Sequence, residues 1–212
     1  MAAALYSVWL PKILVDVPSC PSDMVIEATR DVVIEFCKRT KALRVEADAF
    51  YTVIGDASYT LTPPADTQII DVLTLKYSDS KKIEPQLREE LDRRSPNWQT
   101  LEGTPNSFLS TRPGEIVFDR IPQEVVVVRP FVAVKPSQTS QGVDEFIFEE
   151  FKVDIKHGVL AYLFAQPKKD YSNPGLAAYH EQIFERKVWT ATSKAQSGYN
   201  SKKQFTCKAH LF

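Results

Sequence analysis

Helix-forming and strand-forming signals occupy separate stretches of this chain instead of alternating, which argues against a parallel α/β sheet. One helical stretch opens near Pro21, strand signals fill residues 46–136, and helix returns at about Asp144. The pattern predicts an α+β fold, a helical bundle of three main helices with an antiparallel β-sandwich or barrel-like module inserted. Residues 1–45 would hold an amino-terminal arm and the first helix, and 46–140 the β-rich module. Residues 141–196 would form a helical hairpin, and 197–212 an extended arm.

The first helix should begin with Pro21 at its first position, where the missing N–H costs nothing. Val25, Ala28, Val32 and Phe36 repeat at helical spacing, and the helix should fade near Leu43. Within the β region, residues 69–77 alternate Ile69, Asp71, Leu73, Leu75 and Tyr77 against Ile70, Val72, Thr74 and Lys76. Apolar groups on both faces predict a central strand. A short helix over about 86–93 should stop before Pro96, and a long one over about 144–166 should end at Pro167. Asn173 and Pro174 then cap and open the last helix, which should stop before Ser197-Gly198.

Charge is distributed unevenly. The chain of 212 residues carries a net charge of −1, yet residues 186–212 contain no Asp or Glu. Arg186, Lys187, Lys194, Lys202, Lys203 and Lys208 stand there, and beyond the last helix the cations are interleaved with Tyr199, Phe205, Leu211 and Phe212. Such a segment has too little apolar content for a core and too much for a purely solvating tail, so it reads as an arm that orders on contact. Near-neutral total charge excludes a surface that grips nucleic acid everywhere. The longest apolar runs are too short to span a membrane, and the amino terminus lacks the marks of a signal peptide. Cys20, Cys37 and Cys207 share no metal-type spacing and suit a reducing compartment.

No catalytic constellation emerges. There is no Gly-rich phosphate loop and no nucleophile elbow. Asp154 and His157 stand at i, i+3 on a helix, a spacing that serves a surface hydrogen bond better than a metal site lacking a second pair. No cofactor or metal is expected. Trp98, just past the short helix, would either plug the seam between helices and β module or stand exposed as a partner's anchor. Lys168 and Lys169 follow a helix carboxyl end, where they complement the dipole or meet a phosphate backbone.

The stretch Asp31-Val-Val-Ile-Glu-Phe-Cys-Lys-Arg-Thr40, then Ile69-Ile-Asp-Val-Leu73 and Ser95-Pro-Asn-Trp-Gln99, resembles tail adaptor (head-to-tail connector) proteins of tailed bacteriophages. So does the run from Asp154-Ile-Lys-His157 to Ser172-Asn-Pro174, with Tyr179 and residues 184–187 after it. The resemblance covers roughly residues 17–195 and rests on structural motifs. It implies a β-rich insertion on a helical bundle and a non-enzymatic virion component of the neck or tail, assembled in the bacterial host cytoplasm. It further implies a homo-oligomeric ring, usually of twelve subunits, that joins the portal protein to a tail tube or nozzle protein. Double-stranded DNA would pass through it non-specifically, without membrane contact.

On this basis Gln204, Phe205, Thr206, Lys208, Leu211 and Phe212 are the expected portal contacts. Lys168, Lys169, Lys202 and Lys203 are candidates for the DNA channel or an interface, and Trp9 and Trp98 for interface aromatics. The apolar segment that carries Leu5, Tyr6, Val8, Trp9, Leu10, Ile13 and Leu14 would serve either a subunit interface or an edge strand of the β module. The alternative function is a receptor- or carbohydrate-binding tail component, with exposed aromatics in a groove of the β module.

Overall fold

A computed structural model describes residues 3–78 and 81–199. The fold is mixed α+β; the described residues form five α-helices and a curled sheet, with one hydrophobic core running through both parts. The longest helices are α2 (Ser22–Thr40), α4 (Glu145–Phe164) and α5 (Pro174–Gln196); α1 (Leu10–Ile13) and α3 (Arg88–Arg94) are short.

Local chemistry sets the ends of these helices. α2 stops because Lys41 turns left-handed (φ 50°) while its N–H still reaches Cys37 O at 2.9 Å. Asp144 and Asn173 cap α4 and α5, accepting from the backbone N–H of Phe146 and Leu176 at 2.9 and 3.1 Å. Buried Thr29 and Thr40 on α2 bond back to the carbonyls of Val25 and Phe36, so their hydroxyls are satisfied inside the core. The three long helices meet around Phe36, whose ring centre lies 4.9 Å from Phe151 and 6.3 Å from Phe184. At this convergence α4 carries Gly158, where a Cβ would stand 2.7 Å from Val32 Cγ1 and 2.9 Å from the Phe184 ring.

The eight-stranded sheet is built from β2 (Arg44–Glu46), β3 (Phe50–Tyr51), β4 (Ser58–Thr60), β5 (Thr67–Tyr77), β6 (Lys81–Pro85), β7 (Ser107–Arg112), β8 (Glu115–Phe118) and β9 (Val127–Pro136). Its order is β2-β9-β5-β6-β7-β8-β4, with β3 also on β9. The sheet curls into a half-barrel, so distant strands approach one another. Tyr59 of β4 packs on Phe50 of β3 at 5.0 Å, and Phe118 of β8 meets Tyr77 of β5 edge-on at 6.2 Å. These contacts suit the barrel-like expectation better than two stacked sheets. The sheet is not wholly antiparallel, because β6 and β7 pair in parallel at Glu84–Ser107 and Pro85–Phe108.

β5 lies inside the sheet between β9 and β6, but its simple alternation fails. The buried residues are Ile69, Val72, Leu75 and Tyr77. Register shifts between Ile69 and Asp71, and again between Val72 and Thr74, each insert one residue and invert the facing of the rest of the strand.

The amino-terminal segment is not an extended arm over its described residues. β1 (Ala3–Leu5) pairs antiparallel with β10 (Gly142–Asp144), just ahead of α4, in a two-stranded sheet of its own. A 3₁₀ turn over Tyr6–Trp9 and α1 then fold Tyr6, Trp9 and Ile13 completely into the core. Burying two aromatic rings and an isoleucine offers several kcal/mol, enough to hold so short a segment against its ordering entropy.

Candidate functional site

Large apolar side chains stand exposed over much of this fold, and three places carry aromatic ones suited to contacts. The first is the outer face of α5. Ala177, Phe184, Val188, Ala191 and Ala195 form the helix's buried stripe, as the 3.6-residue spacing predicts. Tyr179 and Trp189 point the other way, 57% and 74% exposed. Helical periodicity in the sequence marks the buried stripe, and Trp189 lies on the face opposite to it.

The second is the tip of the half-barrel. Thr52 donates its N–H to Val126 O (2.9 Å) and its hydroxyl to Glu124 O (2.7 Å), which lays the β3 end alongside the approach to β9. That lock leaves Tyr51, Val53, Ile54 and Val125 on the outside, each more than half exposed. Four large apolar groups held together on a hydrogen-bonded loop are a contact surface in waiting.

The third is the exit of α5. Gly198 (φ 68°) and Tyr199 (φ 58°) are both left-handed, and the Tyr199 N–H returns to Lys194 O at 3.2 Å. The chain thereby reverses, and the Tyr199 ring meets Phe146 edge-on at 5.3 Å. Partial burial raises the Tyr199 phenol's pKa, against a lowering by nearby Arg44.

Between α4 and α5 lies a polar contact that single-segment motifs do not show. His157 and His180 face each other with Nδ1 atoms 2.8 Å apart, one donating and the other accepting according to tautomer. Phe164 stacks on His180 at 5.8 Å. Burial is the leading reason that both imidazoles have pKa values below the usual histidine range. His157 therefore bonds across the hairpin, while Asp154 pairs with Lys187 at 3.2 Å. Folding the predicted hairpin about its 167–173 turn would have brought the two histidines together. Among the described residues no cluster of three or more His, Cys, Asp or Glu could hold a metal ion. The thiol of Cys37 is pushed up to about 12 by complete burial.

The anticipated site residues fall in different settings. Trp9 is fully buried, donating its indole N–H to Lys152 O at 3.2 Å and meeting Phe148 edge-on at 4.7 Å. Trp98 is 3% exposed and donates to Asp92 Oδ1 at 2.8 Å. It fills a space bounded by α3 and by Asn106, Asp119 and Arg120, not the seam with the long helices. Neither indole is at the surface of the folded chain. Lys168 and Lys169 are exposed in the α4–α5 turn. Lys202, Lys203, Gln204, Phe205, Thr206, Lys208, Leu211 and Phe212 lie outside the described residues.

What the fold displays is contact surface on a firmly packed body, the anatomy of a protein that works by assembly. Residues 8–201 match the model of the SU10 adaptor protein family. The chain belongs to this family of bacteriophage adaptor proteins, and its role is that of a structural adaptor. No curated protein matched it. Among the described residues no helix is long and apolar enough to cross a membrane.

Proposed function

We propose that the chain is the subunit of a homo-oligomeric ring, of twelve copies, that joins the portal to the next tail protein and surrounds the passing DNA. The observation that carries this reading is the pair of exposed apolar surfaces on different elements: Tyr51, Val53, Ile54 and Val125 at the half-barrel tip, and Tyr179 and Trp189 on α5. A closed ring needs a heterologous interface, two unlike patches on each copy that meet across every joint. A receptor-binding module would instead rest on a groove of exposed aromatics in the β module; there Tyr77, Phe108 and Phe118 are buried, and of the sheet's aromatics Phe131 lines a cleft, beside Phe146 and Tyr199 of the helical part.

In this reading residues 204–212 carry the portal contacts, with Phe205, Leu211 and Phe212 as anchors and Lys208 paired to an acidic rim. Lys168 and Lys169, exposed on the hairpin turn, are the available cations for the DNA channel or a subunit joint. The near-neutral chain allows DNA to slide, because few phosphate contacts are made and little salt-sensitive drag results.

The test is assembly on purified portal, followed by sedimentation and negative-stain imaging. Ile54→Asp and Trp189→Asp should each leave a folded subunit with an unchanged melting profile but prevent ring closure. Deleting residues 200–212 should abolish portal binding while the body stays folded. Normal rings from both charged variants would overturn the interface assignment, and normal portal binding by the truncation would overturn that of the arm.

A further inference from the structure

Two clefts beside β2 share the side chains of Leu43, Val45 and Asp144 and so form one trough. The larger part, of about 430 Å³, is floored by Leu5, Val134 and Pro136 and carries Asp66 at its far side. The other part, of about 380 Å³, is closed by Phe131, Phe146 and Tyr199. Its long walls are strands. β2 is the terminal strand of the large sheet, and β10 pairs with β1 in the small one. β2 and β9 run antiparallel with Arg44 opposite Ala133 and Glu46 opposite Phe131. Leu43 O accepts from Val134 N–H, and Ala47 N–H donates to Pro130 O, so the odd-numbered positions bond inward. Antiparallel alternation therefore turns the backbone N–H and C=O of Arg44 and Glu46 away from the sheet. An apolar trough along an open strand edge is the arrangement that captures an extended peptide by adding it as a strand.

We propose that this trough is the resting berth of the chain's own segment 200–212, held as an added strand along β2 until the portal takes it away. Tyr199 already lines the trough, delivered there by the left-handed reversal after α5, so the segment starts inside its berth. Extended, those residues span roughly 40 Å, ample for both parts of the trough. Their chemistry is complementary to it. Phe205, Leu211 and Phe212 match the apolar floor, and Lys202, Lys203 and Lys208, with no acid among them, match Asp66 and Asp144. Arg44, whose Nε–H donates to Lys41 O at 3.0 Å, keeps its positive charge at the Tyr199 end of the trough, so the acidic attraction for the arm's lysines comes from Asp144 and Asp66 alone. Tethering gives the segment a millimolar effective concentration, so even weak strand addition holds it in place. The consequence for assembly rests on the arm being the portal-docking element: berth and portal then compete for the same side chains, and free subunits keep their sticky arm covered.

Hydrogen exchange on the full-length subunit without portal tests the berth. The amides of Arg44 and Glu46 should be protected in the natural chain. They should exchange at least tenfold faster when Phe205, Leu211 and Phe212 are all replaced by Ser, with the α2, α4 and α5 amides unaffected. The protection should not depend on protein concentration. Unchanged exchange in the triple variant would overturn the proposal, and protection that grows with concentration would overturn it in favour of a second copy's arm. Val45→Arg, which fills the trough without touching the arm, should likewise expose the two amides and should raise portal affinity. The exchange result stands on the free subunit alone, so a failure of portal binding would not be mistaken for a failure of the berth.

Discussion

Replacing Gly158 by Ala tests whether the helices are held by fit or by propensity. A glycine in mid-helix costs about 1 kcal/mol relative to alanine, so an isolated α4 would gain that much from the change. In the fold the added methyl would stand 2.7 Å from Val32 Cγ1 and 2.9 Å from two atoms of the Phe184 ring, inside contact distance on two sides. Phe184 cannot simply retreat, because its ring packs towards Phe36, which packs on Phe151. Overpacking of this kind costs about 1–3 kcal/mol. The balance is a net loss of about 0–2 kcal/mol, which in a chain of this size lowers the melting temperature by up to roughly 8 °C. Calorimetry or urea unfolding reads it. Val32→Ala in the same chain opens space beside the new methyl, so the double variant should be about 1 kcal/mol more stable than the single losses add up to. A rise in melting temperature with Gly158→Ala alone would refute the reasoning, showing that the helices part easily at this crossing.

Acid should weaken the α4–α5 contact. Both histidines have pKa values lowered in the fold, with burial the first cause. Unfolded chains therefore bind protons that the folded chain refuses: stability is full above the unfolded value of about 6.5 and is lost as pH falls from there towards the lower folded values. Lys156 and Lys187 strengthen the effect, and Asp16 and Asp154 oppose it. Melting temperature should fall between pH 7.5 and 5, with a shallower fall in His180→Asn; equal slopes would count against the pair. Arg39 and Glu185 link α2 to α5 through two hydrogen bonds of 2.6 and 2.5 Å, but their side chains are 33% and 42% exposed. Solvent screening limits the pair to about 0.5 kcal/mol, so Glu185→Gln should shift urea midpoints only slightly, and a loss several times larger would show a buried role.

The long helices are legible in the sequence because their signals are local: Asn173 and Pro174 announce α5, and Val25, Ala28, Val32 and Phe36 do face inward. The interior place of β5 is legible too, but its facing is not, since a bulge is set by the partner strand and leaves no mark in the bulged one. The amino-terminal segment is ambiguous for a similar reason. Tyr6, Trp9 and Ile13 have no regular period, and their slot exists only because α4 and β10 arrive from the far end of the chain. The contact surfaces depend on both kinds of information. Tyr179 and Trp189 follow from helical geometry once the buried stripe is known, whereas the cluster of Tyr51, Val53, Ile54 and Val125 depends on hydrogen bonds between segments some seventy residues apart.

The separation of α2 from its partners has a consequence during synthesis. Phe36 leaves the ribosome long before Phe151 and Phe184, with the whole sheet in between. At about 5–20 residues per second the apolar stripe of α2 waits roughly 7–30 seconds for the surfaces that cover it. β2 waits as well, because β9 emerges some eighty residues later. The nascent subunit is thus an open, adhesive chain until its last helix appears. Crowded synthesis should therefore favour contacts between neighbouring nascent chains, and aggregation should rise as expression is made faster.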